Sequence, residues 1–313
     1  MSNESRLVHI VDEVPGLDGV DQLSLVLCLT GFLDAGNAAV HAADHLEATS
    51  EGPVVATFDV DQFHDYRARR PAVTFARDHY EDYDAPRLVA RLLRDASGSP
   101  YLLLRGPEPD NRWEAFARAV RELVERLGVD RVVGLGSVPM AVPHTRPMSV
   151  TMHANQDGLV AEANPWPGEL RVPSSASSLL EIRLGQWGHA ALGYVAHVPH
   201  YLAQLDYPRA AVVLLEHLER GARILVDLTE LRRDAEERDA EIATYLSQNA
   251  EVQEVVEGLE RQYDAFHEAE ESGRSLLAQD QSLPTGEEIG RQFEQFLAGL
   301  DEDGPRSPHA TDE

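Results

Sequence analysis

Four short stretches of this 313-residue chain place polar groups where chemistry could occur. In VVGLGSVPMAVPHTRP (132–147) an uncharged run ends in His144 and Arg146. Two positions apart in extended chain, these side chains point the same way and could hold an anion or a developing negative charge. LTGFLDAGNAA supplies Asp34 and Asn37, GPEPDN supplies Glu108 and Asp110, and HVPHY supplies His197 and His200 around a Val-Pro step. Each has a plainer reading. Asp34 and Asn37 stand just before a helical stretch, where either could cap free amides. Glu108 and Asp110 could act as an acid/base pair, but GPEPDN is also ordinary turn chemistry ending in a helix cap. His144 could bond to backbone in a loop stiffened by Pro139, Pro143 and Pro147. Two imidazoles make an incomplete metal site, so no metal is expected.

Familiar motifs do not fit. GLGSVP lacks the third glycine of a dinucleotide fingerprint, and the prolines prevent the helix that should open on the phosphate. A nucleophile elbow needs glycine two residues after Ser137, where Pro139 stands. The serines at 174–178 precede an apolar helical run, and Ser178 with Glu181 has capping-box spacing. All 27 basic residues are arginine, which removes a Walker lysine, a Schiff base and a pyridoxal phosphate site. No cofactor is expected. The 54 acidic residues leave a net charge of −27, a field that repels nucleic acid. Cys28, the single cysteine, lies in an apolar run and reads as a small buried hydrophobe. With a polar N-terminus and no apolar stretch near the roughly 20 residues of a membrane span, the expectation is a soluble, cytoplasmic protein.

The elements that must position these groups alternate as strand, loop, helix, strand. QLSLVLCLT (22–30) suits a strand buried on both faces, followed by a helix through Leu46 and a strand in PVVATFDV (53–60), one βαβ unit. YLLLRG (101–106), NRWEAFARAVRELVERLG (111–128) and DRVVGLGS (130–137) make a second, with Gly128 as C-cap. Between them AVTFARD and RLVARLLRD read as strands of a hairpin, or the latter as a short helix. SVTMHAN and HAALGYVAHVPHY give further strands, and PRAAVVLLEHLERGA gives a helix with Pro208 in its first turn. Parallel strands would bring Asp34, Asn37, Glu108, Asp110, His144 and Arg146 to one edge of the sheet, where ligands of open α/β folds bind. His197 and His200 join them only if their strand runs the same way.

Residues 216–313 hold 26 acids against 9 arginines, and this shift marks a boundary. The expected domains are a core over 1–226, an acidic helical subdomain over 227–300 and a disordered tail over 301–313. Within the second, Leu228, Leu231, Ala235, Ile242, Tyr245, Val252, Val256, Leu259, Tyr263 and Phe266 form a heptad-like seam, read as a helical hairpin turning near SQN. A short helix is expected in GEEIGRQFEQFLAGL.

LTGFLDAGNAA, LLLRGPEPDNRWEAF, VPHTRP and HVPHYLAQLDYP resemble the proteasome assembly chaperone family in its actinobacterial form, over about residues 5–225. The resemblance implies a three-layer αβα sandwich with a mostly parallel sheet, similar to phosphorylase/hydrolase-like folds, plus C-terminal helices. It also implies a protein partner, proteasome-related in eukaryotic relatives. Assembly factors of that sort dock through a hydrophobic-Tyr-X ending, whereas this chain ends HATDE. With this resemblance, the acidic helices and no complete catalytic constellation, the expectation is a non-enzymatic binding or assembly protein that forms homo-oligomers. The alternative is an enzyme or binder of a nucleoside- or phosphate-type ligand in the strand-end crevice.

Overall fold

The computed structural model describes residues 7–271 except 18, 32 and 161–168. The helix expected in GEEIGRQFEQFLAGL and the tail lie outside them. LSLVLCLT forms β2 (Leu23–Thr30), buried along nearly its whole length, because a strand this apolar is stable only with helices above and below it. β7 (Pro100–Pro107), β8 (Val129–Met140) and β10 (Ala190–Pro199) join it in the order β7-β2-β8-β10, all parallel. Outside this centre, β6 (Val89–Arg94), β3 (Val54–Phe58) and β1 (Val8–Ile10) follow antiparallel beyond β7, and β9 (Val150–Ala154) pairs antiparallel with β10. Five of the eight strands, β2, β3, β7, β8 and β10, point the same way.

Both expected crossovers are present, but neither joins neighbours. β6 and β7 separate β2 from β3, and β2 separates β7 from β8. RLVARLLRD is β6, a strand and not a helix, and it pairs with β7 from Val89↔Arg105 to Arg94↔Pro100. AVTFARD instead supplies β4 (Thr74–Ala76), which pairs with β5 (His79–Glu81) in a separate two-stranded sheet.

Helices close both faces. α1 (Ala38–Thr49) and α4 (Pro208–Ala222) pack on Val26, Cys28, Leu103, Val133, Tyr194 and Val198, and α5 (Thr229–Gln248) packs on α4. α2 (Trp113–Leu127) and α3 (Ala176–Gln186) pack on Leu25, Leu27, Leu102, Leu104 and Val132 from the other side. The alternation of Leu102, Leu103 and Leu104 between the two cores follows from the period of two in a strand. Each such side chain, fully buried, stabilises the fold by about 1.5–3 kcal/mol. Gly128 ends α2 at φ 69°, its N–H returning to the Val124 carbonyl, the left-handed C-terminal cap glycine permits. α3 corrects the expected capping box. Ser175 is the N-cap, its hydroxyl accepts from the Ser178 N–H, and the Ser178 hydroxyl accepts from the Ser175 N–H. Ser178 is thus the third helical residue, and Glu181 is free to bond His153 at 2.6 Å.

The helical seam breaks at Asn249 (φ −130°, ψ 87°), and α6 (Ala250–Glu271) follows. Asp239 on α5 and Glu260 on α6 both act electrostatically on His144. In one straight helix they would stand roughly 30 Å apart, so α6 turns back on α5. Among the described residues no helix is long and apolar enough to cross a membrane.

Candidate functional site

The carboxyl ends of β7, β2, β8 and β10 lie side by side, with Thr30 level with Pro107 and Ser137 level with Ala196. All eight candidate side chains therefore lie at or just beyond one edge. β10 runs with β8, the condition on which His197 and His200 depended. The edge is nevertheless not one pocket. Strands are spaced about 4.8 Å apart, so β7 and β10 stand roughly 14 Å apart, and the candidates divide into separate groups with partners of their own.

Beyond β7, Glu108 accepts from the Ala176 N–H and so covers the first turn of α3. Its side chain lies where a Cβ on Gly31 would be, 2.3 Å from Glu108 Oε2, which explains glycine at the end of β2. Asp110 meets Arg69 at 2.7 Å and accepts from the Asp65 N–H at 2.6 Å. Partial burial works to raise its carboxyl, but the Arg69 hydrogen bond, the Asp65 amide and nearby His64 outweigh it and hold Asp110 below the usual range. Arg69 also donates to the Glu108 carbonyl at 2.5 Å. A cavity of ≈ 10 Å³ lined by Val60, Phe63, His64, Leu88 and Glu108 has room for about one water.

Beyond β2, Asp34 accepts from the Ala39 N–H at 2.8 Å, the Val40 N–H at 3.2 Å and the Ser137 hydroxyl at 3.1 Å. It thereby satisfies amides that the start of α1 leaves free. Burial raises its carboxyl above the ordinary value despite those three donors. Ser137 is 2% exposed, and its single proton serves Asp34 or the Ala35 carbonyl at 2.9 Å. This arrangement fastens β8 to the β2–α1 turn. Asn37, in the left-handed region at φ 52°, donates to Asp206 at 2.8 Å, and Asp206 also meets His41 at 3.3 Å.

Beyond β8, His144 is held by Tyr201, which follows β10. The tyrosine hydroxyl accepts from the His144 backbone N–H at 2.8 Å and lies 2.7 Å from His144 Nδ1. Donation from that hydroxyl to Nδ1 would accompany the neutral, Nε2-protonated ring. Burial lowers the His144 pKa against the opposing pull of Asp239 and Glu260, and burial pushes Tyr201 up to about 12. Arg146 pairs with Glu260 at 3.4 Å, Thr145 donates to the same carboxylate, and Tyr263 donates to the Pro147 carbonyl at 3.0 Å. α6 is thus fastened to the proline loop at three successive residues.

His197 bonds Thr151 on the edge strand at 2.7 Å, with its pKa lowered by burial. His200 packs edge-on to Tyr201 at 5.5 Å, and its Nδ1 is buried with no hydrogen-bond partner among the described residues. Among the described residues no group of three or more His, Cys, Asp or Glu is placed to hold a metal ion.

Sequence reasoning missed Arg69, Tyr201, Asp206 and Glu260, and weighed Ser137 only as a nucleophile. Tyr201 adjoins a flagged histidine and could have been found. Arg69 and Glu260 lie far along the chain from their partners, and no local pattern marks them.

The sequence pattern of the PAC2 family matches residues 28–246, from the middle of β2 to the end of α5. Among solved structures, the chain is 46% identical to Rv2714 of Mycobacterium tuberculosis, a protein of unknown function, with a TM-score of 0.82 over 87% of this chain and 93% of that one. It is 36% identical to a Corynebacterium glutamicum protein of unknown function, with a TM-score of 0.78 over 83% and 97%. Rv2125 of Mycobacterium tuberculosis, described as a proteasome-assembly chaperone homologue, is 26% identical with a TM-score of 0.69 over 75% and 100%. No curated protein matches. A family pattern that spans the parallel strands, the loops at their ends and the helix packed behind them leaves one assignment: the chain belongs to the PAC2 family.

Proposed function

We propose that this chain is a self-associating, protein-binding member of its family with an assembly-chaperone-like role, and that the acidic hairpin of α5 and α6 is its recognition element. Family membership and the likeness to a proteasome-assembly chaperone homologue support this reading. The observation that carries it is the position of the hairpin. It lies against the loop that follows β8, where an α/β sheet would otherwise receive a ligand, and Thr145, Arg146 and Pro147 bond to it. Over residues 229–271 it carries fourteen acids and four arginines. Amid that charge Tyr245 and Val255 are 59% and 50% exposed, and apolar groups rimmed by charge suit a protein surface. The partner class is a protein presenting a basic rim around apolar pockets, with proteasome α-type subunits the first to test.

The full chain, mixed with proteasome α-type subunits of its source organism, should comigrate with them in size-exclusion chromatography. Because the chain has no lysine and 54 acids, carboxyl-directed cross-linking suits it, and intermolecular links should fall on α5 and α6. The double variant Tyr245→Glu, Val255→Glu should weaken comigration roughly tenfold or more, as loss of central apolar anchors does. Links confined to other elements, or a complex indifferent to the double variant, would remove the hairpin from its role.

A further inference from the structure

The eight-stranded sheet ends on β1 at one side and on β9 at the other. The β1 edge is blunted. It is three residues long and runs into Asp12, Glu13 and Pro15, the short, charged and proline-bearing ending by which proteins discourage further pairing. β9 has none of these devices. It is five residues long, all of them half-buried, and its register with β10 is unbroken from Val150↔Ala196 to Ala154↔Leu192. Residues 148–156 contain no Asp, Glu, Lys, Arg or Pro. A chain of net charge −27 thus leaves one outer strand of its sheet uncharged, regular and without a bulge.

Which backbone groups of β9 face outward follows from the bonds at the two ends of the pair. The Asn155 N–H donates to the Ala191 carbonyl and the His197 N–H to the Ser149 carbonyl, both at 3.0 Å. In an antiparallel ladder bonded pairs alternate with non-bonded ones, so Thr151 and His153 also face β10. Val150, Met152 and Ala154 then turn their N–H and C=O groups to the open side. Among the described residues none bonds to those groups. The side chains alternate in the same way. Val150, Met152 and Ala154 pack against the core shared with α1 and α4. Thr151 and His153 lie on the other face, where Thr151 meets His197 at 2.7 Å and His153 meets Glu181 of α3 at 2.6 Å. A strand laid along β9 would continue the apolar row on one face and stand beside the Glu181 carboxylate on the other.

We propose that β9 is a docking edge for an extended segment of a partner protein, added antiparallel, with apolar residues at alternate positions and basic residues between them. Strand addition of this kind draws its affinity from main-chain hydrogen bonds and its specificity from alternate side chains. The antiparallel sense is the slightly more stable one per residue. The apolar positions continue the row of Val150, Met152 and Ala154. The basic positions match Glu181 and the acidic field of the whole chain, which attracts cations and speeds their approach. This edge uses no residue of the α5–α6 hairpin, and it shares with the reading above only the premise of a protein partner.

Amide hydrogen exchange of the full chain, resolved by residue with NMR, tests the edge. Val150, Met152 and Ala154 should exchange roughly tenfold or more faster than Thr151 and His153. The peptide Thr-Val-Arg-Val-Arg-Val-Thr, capped at both ends, should slow those three amides by a similar factor. In the antiparallel sense its valine N–H groups face β9, so N-methylation of the valines should abolish the protection. N-methylation of the arginines, at the same charge, should leave it. In the protein, proline at an edge position removes only an outward N–H. Met152→Pro and Ala154→Pro should each lose the peptide while β2 and β8 keep their slow exchange. Slow exchange of all five amides in the free chain would show the edge already covered, by a second copy if the slowing grows with concentration, and would overturn the proposal. Absence of protection by the peptide overturns it too, and so does protection indifferent to valine methylation or to both proline variants, which reduces the contact to charge attraction. None of these outcomes bears on cross-links at α5 and α6, which test the hairpin by itself.

Discussion

Histidines 144 and 197 sit at the ends of neighbouring strands, the first against a tyrosine hydroxyl and the second against a threonine hydroxyl. Burial lowers both pKa values, with Asp239 and Glu260 opposing the shift at His144 alone. In the unfolded chain each imidazole takes up a proton near pH 6.5, about its ordinary value, while the folded chain resists. The unfolded state thus binds more protons just below that pH, and stability falls as the pH drops through the window. Melting temperatures should decline from about pH 7.5 towards pH 5.5, and the double variant His144→Gln, His197→Gln should show a shallower decline. An identical slope for the variant would mean that these rings do not sense the change. Asp34 belongs to the same scale. Its place before a helix was legible as a cap, and it caps Ala39 and Val40. Its bond to Ser137 was not, because the two are 103 residues apart and meet only when β2 and β8 pair.

At the scale of elements, the contacts by which α6 holds the proline loop include the Glu260 carboxylate and the Tyr263 hydroxyl. Glu260 is partly exposed and its pair with Arg146 is long, so its loss should cost no more than about 1 kcal/mol globally. Local opening is another matter. Glu260→Ala with Tyr263→Phe should speed amide hydrogen exchange in residues 141–147 while the exchange of β2 and β8 stays unchanged, because fastenings of this kind govern sub-global openings. Unchanged protection of the loop in that variant would show that these two groups do not hold it. The strands and helices themselves were legible where one force decided them: the unbroken apolar run of β2, the amphipathic stretch of α2 closed by Gly128, Pro208 opening α4. Their order in the sheet was not. Sequence reading put β2 and β3 in one βαβ unit, whereas β6 and β7 insert between them. Local periodicity carries no record of which strand lies beside which. The edge common to the candidate residues was foreseen from strand direction, and its division into separate groups was not, since that depends on Arg69, Tyr201 and Glu260 arriving from distant segments.

For the molecule as a whole the dominant field is its own. A net charge of −27 opposes compaction by self-repulsion. Raising salt from about 10 mM to about 150 mM shortens the Debye length from roughly 30 Å to roughly 8 Å. The melting temperature should therefore rise with sodium chloride over this range, and more so for the native chain than for a variant in which several acids of α5 are replaced by glutamine. A melting temperature that falls with salt would show that the arginine–carboxylate pairs outweigh the repulsion.

The central strand carries one more consequence. Cys28 is 1% exposed between α1 and the sheet, and burial pushes its thiol up to about 12, so while the strand is in place the sulfur is both unreachable and un-ionised. A thiol-modifying reagent can touch it only when the middle of the sheet comes apart, and with no second cysteine to compete, each labelled molecule records one such excursion. The protein thus contains its own clock for global opening, readable by mass without any added reporter.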